Sequence, residues 1–178
     1  AKGEIIDPIN PETGKSWGWT DVADLNYDNK GLRDAMTSDM MYWVKDENID
    51  GFRCDVAGNV PTDFWQKTIP ELRKEKNIFM LAEAWEPELL KENLFDMCYN
   101  WDGHHTMNDI AQGKKNVSDW DKLMEAVSKK YEANDILMNF VDNHDENSWN
   151  GTIRGRLGKG EEAMTALSYV MPGMPLIY

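Results

Sequence analysis

Short apolar segments alternate with amphipathic helical segments over most of this chain, and this alternation limits the folds that it can adopt. Apolar residues at helical spacing predict helices at 32–44, 62–75, 118–131 and 161–171. Runs of mainly apolar residues predict buried strands at 49–57, 78–82, 94–99, 136–141 and 174–178. Apolar strands separated by helices are typical of a parallel sheet with helical crossovers. We therefore expect an α/β fold.

Turn-forming residues dominate the start of the chain and recur between the later elements. Residues 1–31 are rich in Pro, Gly, Asn and Asp, which predicts an ordered loop segment ahead of the sheet-forming segment 32–178. Thr62 and Ser118 are the expected N-caps of their helices. A long polar loop through His104 and His105 is expected after the third strand.

The charge balance excludes some classes of partner. The chain has 178 residues, with 19 Lys and Arg against 32 Asp and Glu, for a formal net charge of −13. Nucleic acid and anionic membranes are disfavoured, because phosphates are bound by clustered Lys and Arg. The longest apolar stretch, 163–178, is broken by two prolines and a glycine, so no membrane span is expected. Cys54 and Cys98 cannot form a disulfide scaffold, and neither has zinc-like spacing.

Charged residues follow the apolar strands. Arg53 and Asp55 end the first strand, Glu83 ends the second, and the segment 142–145 (DNHD) ends the fourth. Asp55 and Glu83 are 28 residues apart, and Glu83 and Asp145 are 62 apart, which fits one and two strand–helix units of roughly 30 residues. The carboxyl ends of parallel strands lie at one edge of a sheet, so the three acids are expected to converge in one pocket. A single acid here is as readily explained as a helix cap, but three acids accompanied by Arg53 and His144 favour a catalytic site.

Five motifs match one known family in order and spacing. Segments 51–57 (GFRCDVA), 81–85 (LAEAW) and 141–145 (VDNHD) resemble the nucleophile, acid/base and Asn-His-Asp strands of the α-amylase family of glycoside hydrolases. Segment 23–26 (ADLN) is similar to the end of its inserted loop domain, and 173–178 (GMPLIY) to its eighth strand. The resemblance implies a partial (β/α)8 TIM barrel with strands 4 to 8, since a whole barrel needs about 250 residues.

The residue types suit retaining glycoside hydrolysis, which needs an ionised nucleophile and a protonated acid roughly 5–5.5 Å apart. Asp55 suits the first role, because Arg53 on the same strand face favours its ionised form. Glu83 suits the second, because desolvation at the end of an apolar strand raises its pKa. The resemblance implies the same two roles, and implies that Asp145 stabilises the oxocarbenium-like transition state. The expected substrate-binding residues are Arg53, Trp85, Asn143 and His144.

The eight Trp residues divide by position. Packing roles are expected for those at core spacing within helices, namely Trp43, Trp65 and Trp120. Packing and stacking on sugar rings are equally open for those that follow strand ends, namely Trp85, Trp101 and Trp149. Either role is open for the two in the opening loop, Trp17 and Trp19.

Metal binding is a secondary expectation. The chemistry requires no cofactor, but the resemblance implies a structural calcium ion near Asp24. An EF-hand is excluded there, because Asn29 and Ala35 stand where its loop needs Gly and Glu. A metal-dependent barrel enzyme, with Asp55, Glu83 and Asp145 as Mg²⁺ ligands, is an alternative from another class. Cys54 alternates with the charged residues of its strand, so it is expected to be a buried apolar residue in the strand–helix layer and not a catalytic thiol.

The expected activity is cleavage of α-glucosidic bonds in starch-like α-glucans or maltooligosaccharides, through a covalent glycosyl-enzyme. Many α-amylases carry a Lys-His pair where this chain has 58–60 (GNV), so exo-glucosidase, transglycosylase, isomerase and debranching activities stay open. An inactive binding module is a further alternative. A partial barrel is expected to be inactive alone and to associate with the rest of its barrel or with another copy. The resemblance favours a secreted, periplasmic or cell-surface location, although residues 1–4 contain no signal-peptide feature.

Overall fold

A single parallel sheet organises the computed structural model, which describes residues 5–10 and 13–178. Its five strands pair in chain order, each parallel to the next. They are β1 (Gly51–Cys54), β2 (Phe79–Ala82), β3 (Met97–Tyr99), β4 (Ile136–Asn139) and β5 (Met174–Pro175). A parallel sheet in chain order with helical crossovers is the topology of part of a (β/α)8 barrel, so the predicted fold class is confirmed.

Helices connect the strands along the described chain. They are α1 (Lys30–Lys45), α2 (Thr62–Glu75), α3 (Trp101–Ala111), α4 (Val117–Lys130), α5 (His144–Trp149), α6 (Ile153–Leu157) and α7 (Glu161–Val170). Short 3-10 turns lie at Ala57–Asn59 and Gly158–Gly160, and the segment Pro87–Asn93 contains 3-10 turns interrupted by a kink at Lys91 and Glu92. Within the described residues, none of these helices is both long enough and apolar enough to cross a membrane.

The two faces of the sheet bury different sets of side chains, because successive residues of a strand point to opposite faces. One face packs under α2 and includes Met80, Ala82, Cys98 and Leu137 together with Phe64, Ile69 and Leu72. Cys54 packs against this cluster, as predicted, and burial raises the pKa of its thiol to about 12. The other face carries Met97, Tyr99, Met138 and Phe140, with Leu81 and Leu176 against them.

Several local predictions were wrong. The polar loop expected through His104 and His105 is instead helix α3. Its N-cap Asn100 accepts a hydrogen bond from the Gly103 backbone N–H at 3.0 Å, and a Cβ on Gly103 would lie 2.6 Å from the Asn100 side-chain nitrogen. Glycine therefore allows this cap to form, and the cap starts a helix in a sequence of low apolar content.

Two other helix caps also differ from expectation. Asn116, not Ser118, caps α4, and it forms a capping box with Asp119. Thr62 lies inside α2, whose N-cap position is Pro61, without a side-chain cap. The strands are shorter than predicted: β1, β4 and β5 end earlier than expected, at Cys54, Asn139 and Pro175, while β1, β2 and β3 begin later, at Gly51, Phe79 and Met97.

Buried amides link the carboxyl ends of β3 and β4 to the segment that precedes β5. Asn100 donates to the Asn139 side-chain oxygen at 2.9 Å, and Asn139 donates to the Pro172 carbonyl at 3.1 Å. Gly173 completes this arrangement with φ +120°, and a Cβ there would lie 2.1 Å from the Leu137 carbonyl oxygen. This close contact fixes β5 against β4, next to the segment that carries the fourth-strand acids.

Candidate active site

Three acidic residues lie at the carboxyl ends of β1, β2 and β4. Asp55 directly follows β1, Glu83 directly follows β2, and Asp145 lies in the first turn of α5, after β4. Their common placement follows from the parallel topology. The negative charges of Asp55 and Asp145 both raise the pKa of Glu83, so the three carboxyl groups share one neighbourhood.

The Arg53 guanidinium connects two of these carboxyl groups. It lies on β1 and donates from Nη1 to Asp55 Oδ1. Its Nη2 lies 3.1 Å from Glu83 Oε2. Asp55 and Glu83 therefore both contact one cation; the spacing along β1 predicts the pairing of Arg53 with Asp55, and the contact with Glu83 comes from the structure.

Glu83 and Asp55 differ sharply in exposure. The Glu83 side chain is 14% exposed, against 72% for Asp55. Burial raises the pKa of Glu83, and the neighbouring carboxylates add to this effect, while the Val56 N–H and Arg53 oppose it. A buried carboxyl group with a raised pKa suits a proton donor, and an exposed carboxylate paired with Arg53 suits a nucleophile.

Val56 occupies a strained backbone conformation beside the predicted nucleophile. Its φ of 43° and ψ of 45° lie in the left-handed region, which β-branched residues rarely adopt. This conformation directs the Val56 N–H at Glu83 Oε2, 2.9 Å away. The neighbouring Ala57 N–H donates to the Glu83 carbonyl at 3.1 Å and holds the turn against β2. Sequence reasoning missed Val56, because valine does not predict a positive φ.

Tyr99 is a second residue that sequence reasoning missed. Arg53 Nε donates to its hydroxyl oxygen at 3.2 Å, and the guanidinium lies 5.5 Å from its ring centroid. Its ring stacks on Trp101, which also stacks on the exposed ring of His105. The only available signal was that Tyr99 ends a strand on the face that carries Arg53.

The first turn of α5 carries the residues predicted from the Asn-His-Asp motif. His144 Nε2 lies 3.3 Å from Asp145 Oδ2, and both side chains are about half exposed. Asn143 is only 1% exposed, and its side chain accepts a hydrogen bond from the Glu146 backbone N–H at 2.7 Å. Asn143 thus caps α5, while a contact between Asn143 and substrate stays a prediction.

The Trp residues occupy varied environments. Trp65 is 5% exposed, and Trp120 packs under α3, as predicted for core residues. Trp43 is 50% exposed in the described chain, so its predicted packing role was wrong here. Trp85 is 46% exposed next to Glu83, and its carbonyl accepts a hydrogen bond from the Tyr131 hydroxyl at 2.6 Å. Trp85 is therefore both accessible and held in place by its backbone.

The opening loop approaches the end of β1. Trp17 and Trp19 stack on each other with centroids 5.2 Å apart. Trp19, Asp24 and Asp55 line one cavity of about 170 Å³. The loop therefore adds an indole and a second carboxylate to the surroundings of the predicted nucleophile.

A family model for the catalytic domain of alpha-amylase matches residues 17–178. The chain belongs to the α-amylase family. Its relatives include the alpha-amylase MalA of Haloarcula japonica, which is 26% identical over 94% of this chain and 25% of that protein. The 4-alpha-glucanotransferase of Thermotoga neapolitana is 30% identical over 87% of this chain and 35% of that protein.

A solved alpha-amylase from Lactobacillus plantarum superposes on the whole chain. The TM-score is 0.81 and the identity 28%, with 100% of this chain and 43% of that chain covered. This α-amylase-family chain thus spans about a quarter to a third of the length of the curated relatives it matches. In this part of the barrel, the three acids and Arg53 lie at or near the carboxyl ends of the strands.

The α-amylase-family chain departs from the common motif after its predicted nucleophile. Segment 58–60 (GNV) stands where the sequence comparison above places a Lys-His pair, and a Cβ on Gly58 would lie 2.7 Å from Glu86 Oε2. Glu86 Oε2 also accepts a hydrogen bond from the Trp85 N–H at 3.0 Å. The Glu86 carboxylate therefore lies against Gly58 and adds an acidic group to this side of the site.

Asp24 is the residue predicted to bind calcium. It lies in the opening loop, where its N–H donates to the Ile6 carbonyl at 2.8 Å. Within residues 5–10 and 13–178, no three His, Cys, Asp or Glu side chains come together in a way that could hold a metal ion. Calcium needs six to eight oxygen ligands, so the Asp24 side chain alone does not make a site.

Proposed function

We propose that the protein containing this sequence is a retaining glycoside hydrolase that cleaves α-glucosidic bonds of starch-like α-glucans or maltooligosaccharides. The observation that carries the proposal is the pairing of a buried Glu83, whose pKa is raised, with an exposed Asp55, both bound to Arg53. Two carboxyl groups in such different environments suit opposite protonation states, which this chemistry requires.

The mechanism assigns each group one task. The Asp55 carboxylate attacks the anomeric carbon, while protonated Glu83 donates its proton to the leaving oxygen. The sugar is then bound to Asp55 as an ester. Water attacks the anomeric carbon while the Glu83 carboxylate takes its proton, and the bond to Asp55 breaks, which frees the sugar and restores both carboxyl groups. Asp145 stabilises the positive charge that develops on the sugar ring, and His144 binds a sugar hydroxyl beside it.

Transfer to a second sugar is the main competing outcome. The relative from Thermotoga neapolitana is named a 4-alpha-glucanotransferase, and it is 30% identical to this chain. Hydrolase and transferase share the glycosyl-enzyme and differ in whether water or a sugar hydroxyl attacks it. The Glu86 carboxylate lies against Gly58, in the turn that follows the proposed nucleophile. We therefore propose that this region influences whether water or a sugar hydroxyl attacks the glycosyl-enzyme.

The chain supplies only part of the proposed enzyme. Its described residues form five parallel strands, while a closed barrel has eight. The proposed partner of this segment is therefore the remainder of a barrel, and the segment alone is expected to be inactive. A calcium ion at Asp24 would need its other ligands from outside the described residues, and the chemistry requires no metal. The secreted, periplasmic or cell-surface location also stays a proposal.

Trapping of the covalent intermediate tests the proposal. The intact protein is treated with 5-fluoro-α-D-glucosyl fluoride, whose glycosyl-enzyme turns over slowly, and its peptides are analysed by mass spectrometry. We expect the added mass on the peptide that contains Asp55, and no addition in Asp55→Asn. Label on another residue, or on both proteins equally, would overturn the assignment.

Three further measurements separate the alternatives. Proton NMR of the first product should show the α-anomer, and an initial β-anomer would exclude retention. Product patterns on amylose, pullulan, isomaltose and trehalose distinguish hydrolase, debranching enzyme, transferase and isomerase. Activity that survives exhaustive chelation would exclude the Mg²⁺ alternative, while absence of turnover on every glucan would favour an inactive binding module.

A further inference from the structure

Four ionisable side chains are buried together behind α5, and none of them belongs to the proposed catalytic set. His104 is 1% exposed, Arg156 6%, Asp142 7% and Glu146 11%. We refer to these four residues as the α5 anchor. They come from α3, from the segment between β4 and α5, from α5 itself and from α6.

Arg156 binds the backbone on both sides of α5. Its Nη2 donates to the Val141 carbonyl at 2.7 Å and to Asp142 Oδ1 at 3.2 Å. Its Nη1 donates to the Glu146 carbonyl at 3.3 Å and also to the Gly151 carbonyl. One planar guanidinium therefore joins the segment before α5, the helix itself and the turn that follows it.

Glu146 connects the same helix to α3. Its Oε2 lies 3.1 Å from His104 Nε2 and 3.7 Å from Arg156 Nε. Its Oε1 accepts a hydrogen bond from the Asn150 side chain at 3.1 Å. The His104 ring stacks on Phe140 at a centroid distance of 4.7 Å, next to the end of β4. The anchor thus joins α5 to α3, to α6 and to the segment that follows β4.

The anchor is better explained by geometry than by stability. Burying ionised groups carries a desolvation cost, and apolar residues of similar volume often stabilise a protein as well or better. Helix α5 has only six residues, too few to be stable without tertiary contacts. Its orientation must therefore be set by its surroundings, and directional bonds to a planar guanidinium define an orientation more narrowly than apolar packing does.

We propose that Arg156 and Glu146 are positioning residues that hold the first turn of α5, so that Asp145 and His144 face the substrate. This inference rests on the proposed function for its catalytic consequence. Neither residue touches the proposed reacting atoms. Both act through the one helix turn that carries Asp145, where a displacement of about 1 Å can cost on the order of 100-fold in rate.

The test replaces Arg156 by Lys in the intact protein. Lys keeps the charge but loses the planar fork, so the bonds to the three carbonyls cannot all form. We expect kcat on maltooligosaccharides to fall about 10- to 100-fold, with KM changed less than about threefold. Amide hydrogen exchange in 143–150 should accelerate, because this turn loses its restraint.

Arg73→Lys is the matched control. Arg73 also binds a carbonyl, that of Asn93, and a carboxylate, that of Asp96, but it belongs to α2 and its partners lie between β2 and β3, outside the α5 anchor. We expect this variant to lower the melting temperature without changing kcat or hydrogen exchange in 143–150. A merely structural role for Arg156 would give the same pattern in Arg156→Lys and would overturn the proposal.

The two hypotheses fail in distinguishable ways. If amide hydrogen exchange in 143–150 is unchanged in Arg156→Lys, the positioning role is overturned, whatever the activity of the variant. Faster exchange with unchanged kcat also overturns it, because α5 then moves without catalytic consequence. Wild-type turnover by Asp55→Asn would instead overturn the proposed function, and the exchange data would still decide whether the anchor holds α5.

A second variant tests whether apolar packing can replace the anchor. Arg156→Met combined with Glu146→Met removes both buried charges at similar volume. We expect the melting temperature to recover relative to Arg156→Met alone, while kcat stays low. Recovery of both quantities would mean that α5 needs only packing, and it would overturn the proposal.

Discussion

The backbone N–H of Val56 donates a hydrogen bond to Glu83 Oε2 across 2.9 Å. The turn after β1, which carries the proposed nucleophile, therefore holds the proposed acid after β2. Arg53, in β1, contacts the same Glu83 oxygen at 3.1 Å. The two carboxyl groups of the site are thus positioned by one short segment of β1 and its turn, and their separation does not depend on long loops.

Replacing each proposed catalytic carboxyl group should remove a different step. Asp55→Asn abolishes formation of the glycosyl-enzyme. Glu83→Gln lowers kcat by about 10²- to 10⁴-fold on oligosaccharides, because their leaving oxygen needs a proton. With α-glucosyl fluoride, whose leaving group needs no proton, Glu83→Gln should still release its first equivalent of fluoride rapidly. Steady-state rates and a fluoride electrode provide the measurements.

The control for both substitutions is Asp50→Asn. The Asp50 side chain is 94% exposed and pairs with Lys76 just before β1, away from the carboxyl ends of the strands. The Asp50→Asn variant should retain the wild-type kcat and the wild-type circular dichroism spectrum. Wild-type-like turnover in Asp55→Asn or in Glu83→Gln on oligosaccharides would contradict the assigned roles.

Val56→Gly should keep activity and should not reduce stability. The substitution removes the β-branched side chain from a left-handed conformation, which costs about 1–3 kcal/mol, and keeps the N–H that binds Glu83. We expect the free energy of unfolding to rise by about 1 kcal/mol, measured by urea titration. Val60→Gly serves as the control, since its φ of −85° is ordinary, and it should lose about 1 kcal/mol. Equal losses in both variants would show that Val56 is not strained.

Glu83→Gln should also change how stability depends on pH. The folded protein raises the pKa of Glu83 above its ordinary value of about 4.3, mainly through burial. Between the two pKa values the folded state binds more protons than the unfolded state, so this group lowers stability as pH rises through that window. Glu83→Gln should therefore gain stability relative to wild type at pH 7 and lose that gain at pH 4.

Melting temperatures at several pH values measure this effect. Glu71→Gln, at an exposed position of α2, corrects for the general loss of one negative charge. Between pH 4 and pH 7, the melting temperature relative to wild type should rise more for Glu83→Gln than for Glu71→Gln. An equal or smaller gain would contradict the raised pKa.

Gly173→Ala should disrupt the pairing of β4 with β5. A Cβ at this position would lie 2.1 Å from the Leu137 carbonyl oxygen, which belongs to the backbone and cannot yield. We expect the free energy of unfolding to fall by more than about 3 kcal/mol. Gly113 has a φ of +72°, and a Cβ there would have no heavy atom within 4 Å. Gly113→Ala should therefore lower the free energy of unfolding by only about 1 kcal/mol. Similar losses in the two variants would mean that the close contact is relieved at little cost.

The sequence allowed much of the fold to be predicted, because its strands and long helices carry clear periodic patterns. The strand order, the orientation of Cys54 and the pairing of Arg53 with Asp55 all follow from alternation along β1 and from parallel topology. The raised pKa of Glu83 also followed, since an acid that ends an apolar strand is desolvated. Helix α3 could not be predicted from apolar periodicity, because it begins with one local hydrogen bond between Asn100 and Gly103.

What the sequence determined by itself is the order of the elements and the placement of three acids at strand ends. Only the tertiary structure decided which groups hold those acids. The Val56 N–H, the Tyr99 hydroxyl and the buried Arg156 act through contacts between residues distant along the chain. The physical reason is that periodic burial is a local property of a sequence, whereas hydrogen-bond direction and backbone strain depend on how separate segments meet.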